Sequence, residues 1–137
     1  MKRYLYYLIK YMAIIAKPLL GRNAYMTIFI FALKQRGGIF TGKPRYIDPD
    51  VYIDAEGGLS LGDNFIASTQ VIILTHDYSF TTGLEAIGKR PYTDVAIRLP
   101  VTIGKNCFIG AGSVVLPGTI IEDNVIIGAG SVWLEGD

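Results

Sequence analysis

The chain has little of what most enzyme chemistry draws on. Among its 137 residues there is one cysteine, Cys107, and one histidine, His76. A lone cysteine excludes an internal disulfide and suits a reducing compartment. A single histidine excludes a zinc centre built on three imidazoles. No apolar run reaches the roughly 20 residues needed to cross a bilayer. The tyrosines and Lys10 near the front interrupt any secretory leader, and no small-residue cleavage site follows. These absences point to a cytoplasmic protein.

Acidic residues are also missing from a whole third of the chain. Residues 1–46 carry nine basic side chains and no acid, whereas residues 47–137 carry all twelve acids and four basic residues. The near-neutral total of +1 therefore hides a strongly polar distribution. The front end suits an anionic partner. Nucleic acid is a poor candidate, because the cations lie among apolar stretches and the body is acidic. What is plentiful is apolar surface and glycine: 50% of residues are hydrophobic and 16 are glycine. That composition describes one folded domain with many tight turns.

Residues 3–20 read as a helix, with Leu5, Leu8, Ile9, Met12, Ala16 and Leu19 on one face. Tyr4, Tyr7, Tyr11 and Ile14 occupy a neighbouring face, and Arg3, Lys10 and Lys17 form a narrow basic stripe. Pro18 and Gly21 end or bend this helix. A second apolar stretch runs from Ala24 to Leu33. Two compatible readings follow. The helices pack on the body or on a neighbouring subunit, or residues 1–36 lie on the inner face of an anionic membrane with the basic stripe toward headgroups.

The decisive signal lies near the other end. Written in sixes, residues 103–132 read IGKNCF, IGAGSV, VLPGTI, IEDNVI, IGAGSV. The first position is always aliphatic: Ile103, Ile109, Val115, Ile121 and Ile127. The fifth is small or modest: Cys107, Ser113, Thr119, Val125 and Ser131. A period of six fits neither an amphipathic helix nor a hairpin meander. It fits short strands separated by turns, each coil burying its apolar edge only by stacking on the next. Upstream, Leu61, Ala67 and Ile73 keep the register. Ile47, Ile53 and Leu59 form an offset series, which predicts an irregularity at Glu56-Gly57-Gly58. The register is lost from His76 to about Ile97, so residues 77–100 form a loop extruded from the repeat, and such loops are usually functional. The organisation is a helical segment, 1–38, followed by a repeat domain, 39–137.

These motifs, with Thr75-His76-Asp77 opening the loop and Pro100-Val101-Thr102-Ile103-Gly104 closing it, resemble the hexapeptide-repeat acyltransferases. The likeness is to the maltose, galactoside and polysaccharide O-acetyltransferase group in particular. The resemblance covers about residues 40–137. It implies an all-β solenoid, a left-handed parallel β-helix shaped as a triangular prism, preceded here by the α-helical segment. It implies homotrimers with active sites between prisms, acetyl-CoA as co-substrate, no metal, and His76 as the base toward an acceptor hydroxyl or amine. By position, Phe108, Gly110, Ala111, Gly128 and Ala129 would border the cofactor. Relatives usually continue into a basic tail, where this chain has Glu135 and Asp137.

The residues agree with that chemistry. Acyl transfer to a hydroxyl needs a base near neutral, and imidazole is the side chain that starts there. What orients the other ring nitrogen is left open between a carboxylate and a backbone carbonyl; Asp77 is adjacent, but neighbours on an extended chain point apart. Asp50, Asp54 and Asn64 are candidates for acceptor hydroxyls, with turn chemistry as the competing role. Asp77 and Tyr78, at the mouth of the loop, join them. Lys105, with Lys89, Arg90 and Arg98, is a candidate for cofactor phosphates, with solvated surface as the alternative. Cys107 reads as a small inward filler. The leading function is O-acetylation of a sugar or glycan. N-acetylation of an amino sugar and a non-catalytic trimeric scaffold are the alternatives. The missing histidines exclude a carbonic-anhydrase-like member.

Overall fold

A computed structural model describes residues 2–134. Glu135 and Asp137, the acidic residues noted at the chain's end, lie outside the described residues. The first element, α1 (Lys2–Gln35), is two helical halves. At Gly21 the backbone turns to φ 84°, ψ 175°, a conformation open to glycine. The break falls where Pro18 and Gly21 predict it. The second half folds back on the first: the Tyr6 and Phe29 rings lie 6.5 Å apart, and Lys17 Nζ sits 5.4 Å over the Tyr25 ring.

The strands follow as β1 (Gly38–Phe40), β2 (Tyr46–Ile47), β3 (Tyr52–Ile53), β4 (Leu59–Leu61), β5 (Ile66–Ala67) and β6 (Ile72–Ile73). Then come β7 (His76–Asp77), helix α2 (Ser79–Ala86) and β8 (Ile97–Arg98). The solenoid resumes with β9 (Val101–Ile103), β10 (Phe108–Ile109), β11 (Val114–Val115), β12 (Ile120–Ile121), β13 (Ile126–Ile127) and β14 (Val132–Trp133). They build three four-stranded parallel sheets, β1-β4-β9-β12, β13-β10-β5-β2 and β14-β11-β6-β3. The chain visits each sheet in turn, which makes a three-sided, left-handed β-helix.

Register explains the core. Ile103 stacks between Leu61 and Ile121, Ile109 between Ala67 and Ile127, and Val115 between Ile73 and Trp133. Ile103, Ile109, Val115, Ile121 and Ile127 are all within 2% of complete burial. Cys107, Ser113 and Thr119 are buried at the corners, as their small size predicts. The turns use backbone that asparagine tolerates: Asn64, Asn106 and Asn124 have positive φ, and their amides form a ladder of 3.0 Å hydrogen bonds. Trp133, whose register assigns it an inward place, stands 38% exposed on the edge strand β14.

The irregularity is where the sequence places it. Leu59 and Leu61 both sit inward on β4, facing Val101 and Ile103. The corner from Ile53 to Leu61 is thus two residues longer than the repeat. The loop leaves the solenoid through a short antiparallel ribbon in which His76 pairs with Arg98 and Asp77 with Ile97.

The helices cover the prism's first edge. Strands β2 and β3 end their sheets and present unpaired backbone groups. Tyr25 donates its hydroxyl to the Ile47 carbonyl at 2.6 Å, the Ile47 N–H donates to Met26 Sδ at 3.3 Å, and Lys10 Nζ donates to the Val51 carbonyl at 3.0 Å. Lys17 Nζ reaches the Tyr46 hydroxyl at 2.8 Å. This corrects the reading of the first helix. Lys10 and Lys17 turn toward the prism, not toward headgroups, and burial pushes the Lys10 ammonium below its ordinary pKa. The buried face carries Tyr6 and Ala13, while Leu5, Leu8, Met12 and Leu19 are exposed. Apolar periodicity found the helix and left the buried side open; tyrosine rings and lysine stems take it because they pack well against an aromatic second half.

Candidate active site

The site grows out of the long corner. Strands β3 and β6 are stacked in register, Ile53 against Ile73. Asp54 and Thr75-His76 therefore leave the same sheet one above the other. The Asp54 side chain is fully buried. Its Oδ1 accepts the Glu56 N–H at 3.0 Å, and its Oδ2 accepts the Thr75 N–H at 3.2 Å and the Thr75 hydroxyl at 2.8 Å. Oδ2 also meets His76 Nδ1. The two extra corner residues supply part of this frame: the Gly57 N–H donates to Thr75 Oγ1 at 2.8 Å. Position 57 must be glycine, since a Cβ there would stand 2.2 Å from the Thr75 carbonyl oxygen.

Burial alone would raise the pKa of Asp54, but the hydrogen bonds from Glu56, Thr75 and His76 outweigh it and hold the carboxyl below the usual range. The group is an anion. Arg36, from the end of α1, adds a guanidinium 3.7 Å from Oδ1 and is itself held over the Tyr6 and Tyr7 rings. A buried carboxylate on Nδ1 fixes the ring and its tautomer: Nδ1 carries a proton toward Asp54, and Nε2 is the nitrogen left to take one. The imidazole is 24% exposed, and the Tyr78 ring stands edge-on to it at 5.4 Å.

Asp54 thus settles the question of what orients His76. The sequence reading weighed it only for acceptor hydroxyls or a turn. The missing signal was stacking: Ile53 and Ile73 are equivalent repeat positions, so the residues that follow them converge. Asp77 does not contribute. Its carboxylate accepts the Ser79 N–H at 2.8 Å and the Ser79 hydroxyl at 2.7 Å at the start of α2, and these bonds lower its pKa. Asn64 lies in the asparagine ladder. Asp50 is exposed in the turn between β2 and β3, where its N–H donates to Asp48 Oδ1.

The residues expected at the cofactor lie at other corners of the same prism. Phe108, on β10, is 38% exposed and outward. Gly110-Ala111 and Gly128-Ala129 follow β10 and β13 and are stacked so closely that a Cβ on Gly110 would meet the Ala129 nitrogen at 2.4 Å. Lys105 is on the turn before β10, with its Nζ 3.8 Å from Asp123. His76 leaves the sheet of β6 and turns toward that of β9. One chain therefore does not gather these groups around its own imidazole.

Asp54, Glu56 and His76 each offer a ligand atom, all within 4.8 Å of one another. The Asp54 oxygen on His76 already accepts both Thr75 donors.

Residues 100–132 match the model for the hexapeptide repeat of succinyl-transferase. A putative acetyltransferase of Saccharomyces cerevisiae is 32% identical, over 58% of this chain and 48% of its own length. The galactoside O-acetyltransferase of Escherichia coli is 31% identical, over 62% of this chain and 49% of its own length. Over these segments the chain is similar to hexapeptide-repeat acetyltransferases. It spans about half the length of these curated relatives. Among solved structures, a maltose O-acetyltransferase from Clostridium difficile 630 shares the fold, with a TM-score of 0.52 and 22% identity over 98% of this chain and 78% of that one.

Proposed function

We propose that this protein transfers an acetyl group from acetyl-CoA directly to a hydroxyl of a sugar or glycan, with His76 as general base, and that it works as a homotrimer. The observation that carries the reading is the buried Asp54 carboxylate on Nδ1 of the chain's one histidine, at the neck of the extruded loop. Nε2 takes the acceptor's proton as its oxygen attacks the thioester carbonyl. When the carbon–sulfur bond breaks, the leaving thiolate takes that proton back. The products are an ester and free coenzyme A, and no covalent enzyme intermediate is needed. The imidazolium formed midway faces an anion already in place. The sugar acceptor is favoured by the names of the relatives. The trimer is favoured by the separation of His76 from the expected cofactor residues, which a neighbouring prism would supply.

The test is release of free thiol from acetyl-CoA with a panel of paired hydroxyl and amine sugars. Wild type should turn over a hydroxyl acceptor, and His76→Ala should lower kcat by about 10²–10⁴. Full transfer by His76→Ala would remove His76 as the base, and no transfer by wild type to any acceptor would leave the scaffold reading standing instead. Turnover of amines alone would replace O- by N-acetylation.

A further inference from the structure

The outer side of the first helical half has no partner among the described residues. Leu5, Leu8, Met12, Ile15 and Leu19 fall at alternating steps of three and four and are 42% to 77% exposed. Tyr4 and Tyr11 flank them at 81% and 61%. The seam runs about 21 Å along the helix at 1.5 Å per residue. The cations that would interrupt it, Lys10 and Lys17, are turned inward onto Val51 and Tyr46. Exposed Lys2, Arg3 and Arg22 bracket its two ends.

We infer that this face docks on an anionic lipid bilayer, lying in the headgroup layer with the prism standing behind it. Two observations select lipid over a second copy. The seam has coiled-coil spacing, but residues 1–46 contain no acid, so two such faces would bring cations only to cations. The charge of the whole molecule is polarised the same way, with every acid in residues 47–137. An anionic surface is the complement of an apolar strip ringed by bases and tyrosines. No described helix is long and apolar enough to cross a membrane, so the contact is peripheral. The inner side of the same helix is fastened to the first edge of the prism, which leaves the outer side facing away from the body.

The experiment is flotation of the full chain with vesicles of phosphatidylglycerol and phosphatidylcholine in equal parts, and of phosphatidylcholine alone. Wild type should float with the anionic vesicles, lose binding as salt rises, and stay behind with the neutral ones. Lys2→Gln/Arg3→Gln, which removes no buried atom, should weaken anionic binding about fivefold per cation, the equivalent of ~1 kcal/mol each. Leu8→Ser/Ile15→Ser should abolish flotation while keeping the wild-type melting temperature and sedimentation mass. Failure of wild type to float, equal binding to both vesicles, or unchanged flotation of either variant would overturn the inference. So would a seam variant whose sedimentation mass falls, since a second copy would then be what covers the face. None of these readouts depends on acetyl transfer.

Discussion

Replacing Asp54 by asparagine keeps the shape of the side chain and removes its charge. The structure gives the two carboxylate oxygens only donors: Glu56 N–H and Arg36 on one, Thr75 N–H, Thr75 hydroxyl and His76 Nδ1 on the other. An amide has one acceptor oxygen and one NH₂ group. If the NH₂ takes the Oδ1 place, it faces the Glu56 N–H and a guanidinium. If it takes the Oδ2 place, it faces the Thr75 N–H and donates to Nδ1, so the proton moves to Nε2 and the base is blocked. One orphaned buried donor costs about 1–3 kcal/mol. Loss of general-base action costs about 10²–10⁴ in kcat. The expected variant is folded but less stable, with kcat down by that range and KM for acetyl-CoA little changed. Initial thiol-release rates and a urea unfolding curve on the same preparation separate the two effects. A folded Asp54→Asn enzyme with kcat within a factor of a few of wild type would refute the claim that Asp54 sets the tautomer.

Three further outcomes follow from the same contacts. Gly57→Ala puts a methyl against the Thr75 carbonyl and should displace the segment holding His76, so kcat should fall although residue 57 lies outside the imidazole's own contacts. The folded-state pKa of Asp54 is depressed, so its contribution to stability is complete above the ordinary carboxylate value near 3.9 and disappears as pH falls through the lower folded value. Urea midpoints measured downward from pH ~5 should show that acid loss in wild type and a shallower one in Asp54→Asn. Ile109→Ala, in the fully buried stack between Ala67 and Ile127, should cost about 2–5 kcal/mol in the same unfolding assay.

The solenoid was legible because its cause is local and repeated. A six-residue period with an aliphatic first position places Ile103 over Ile121 and Ile109 over Ile127 before any coordinate is known, and asparagine marks the corners where φ is positive. The long corner at Glu56-Gly57-Gly58 was visible as a slip between Leu59 and Leu61. Its purpose was not, because that depends on which residue of the next coil it touches.

The helix illustrates the opposite case. Its apolar spacing marks the helix but does not say which side is buried, and the basic stripe expected at headgroups turns inward at Lys10 and Lys17. Phe29 and Tyr25 accept a lysine over each ring, at 5.8 and 5.4 Å, and the freed ammonium groups then bond Val51 and Tyr46. A cation satisfied in this way can be buried, and the leucines are displaced to the outside. The Asp54–His76 dyad and the exposed seam share this origin. In each, a polar group is taken inward by partners one coil or one helix away: Asp54 by Thr75 and His76, Lys10 by Phe29 and Val51. Arg36 joins the two, with its guanidinium over Tyr6 of the first helical half and beside Asp54 of the dyad. The packing of that helical half on the prism and the placement of the imidazole are therefore one structural problem, solved by the same side chain.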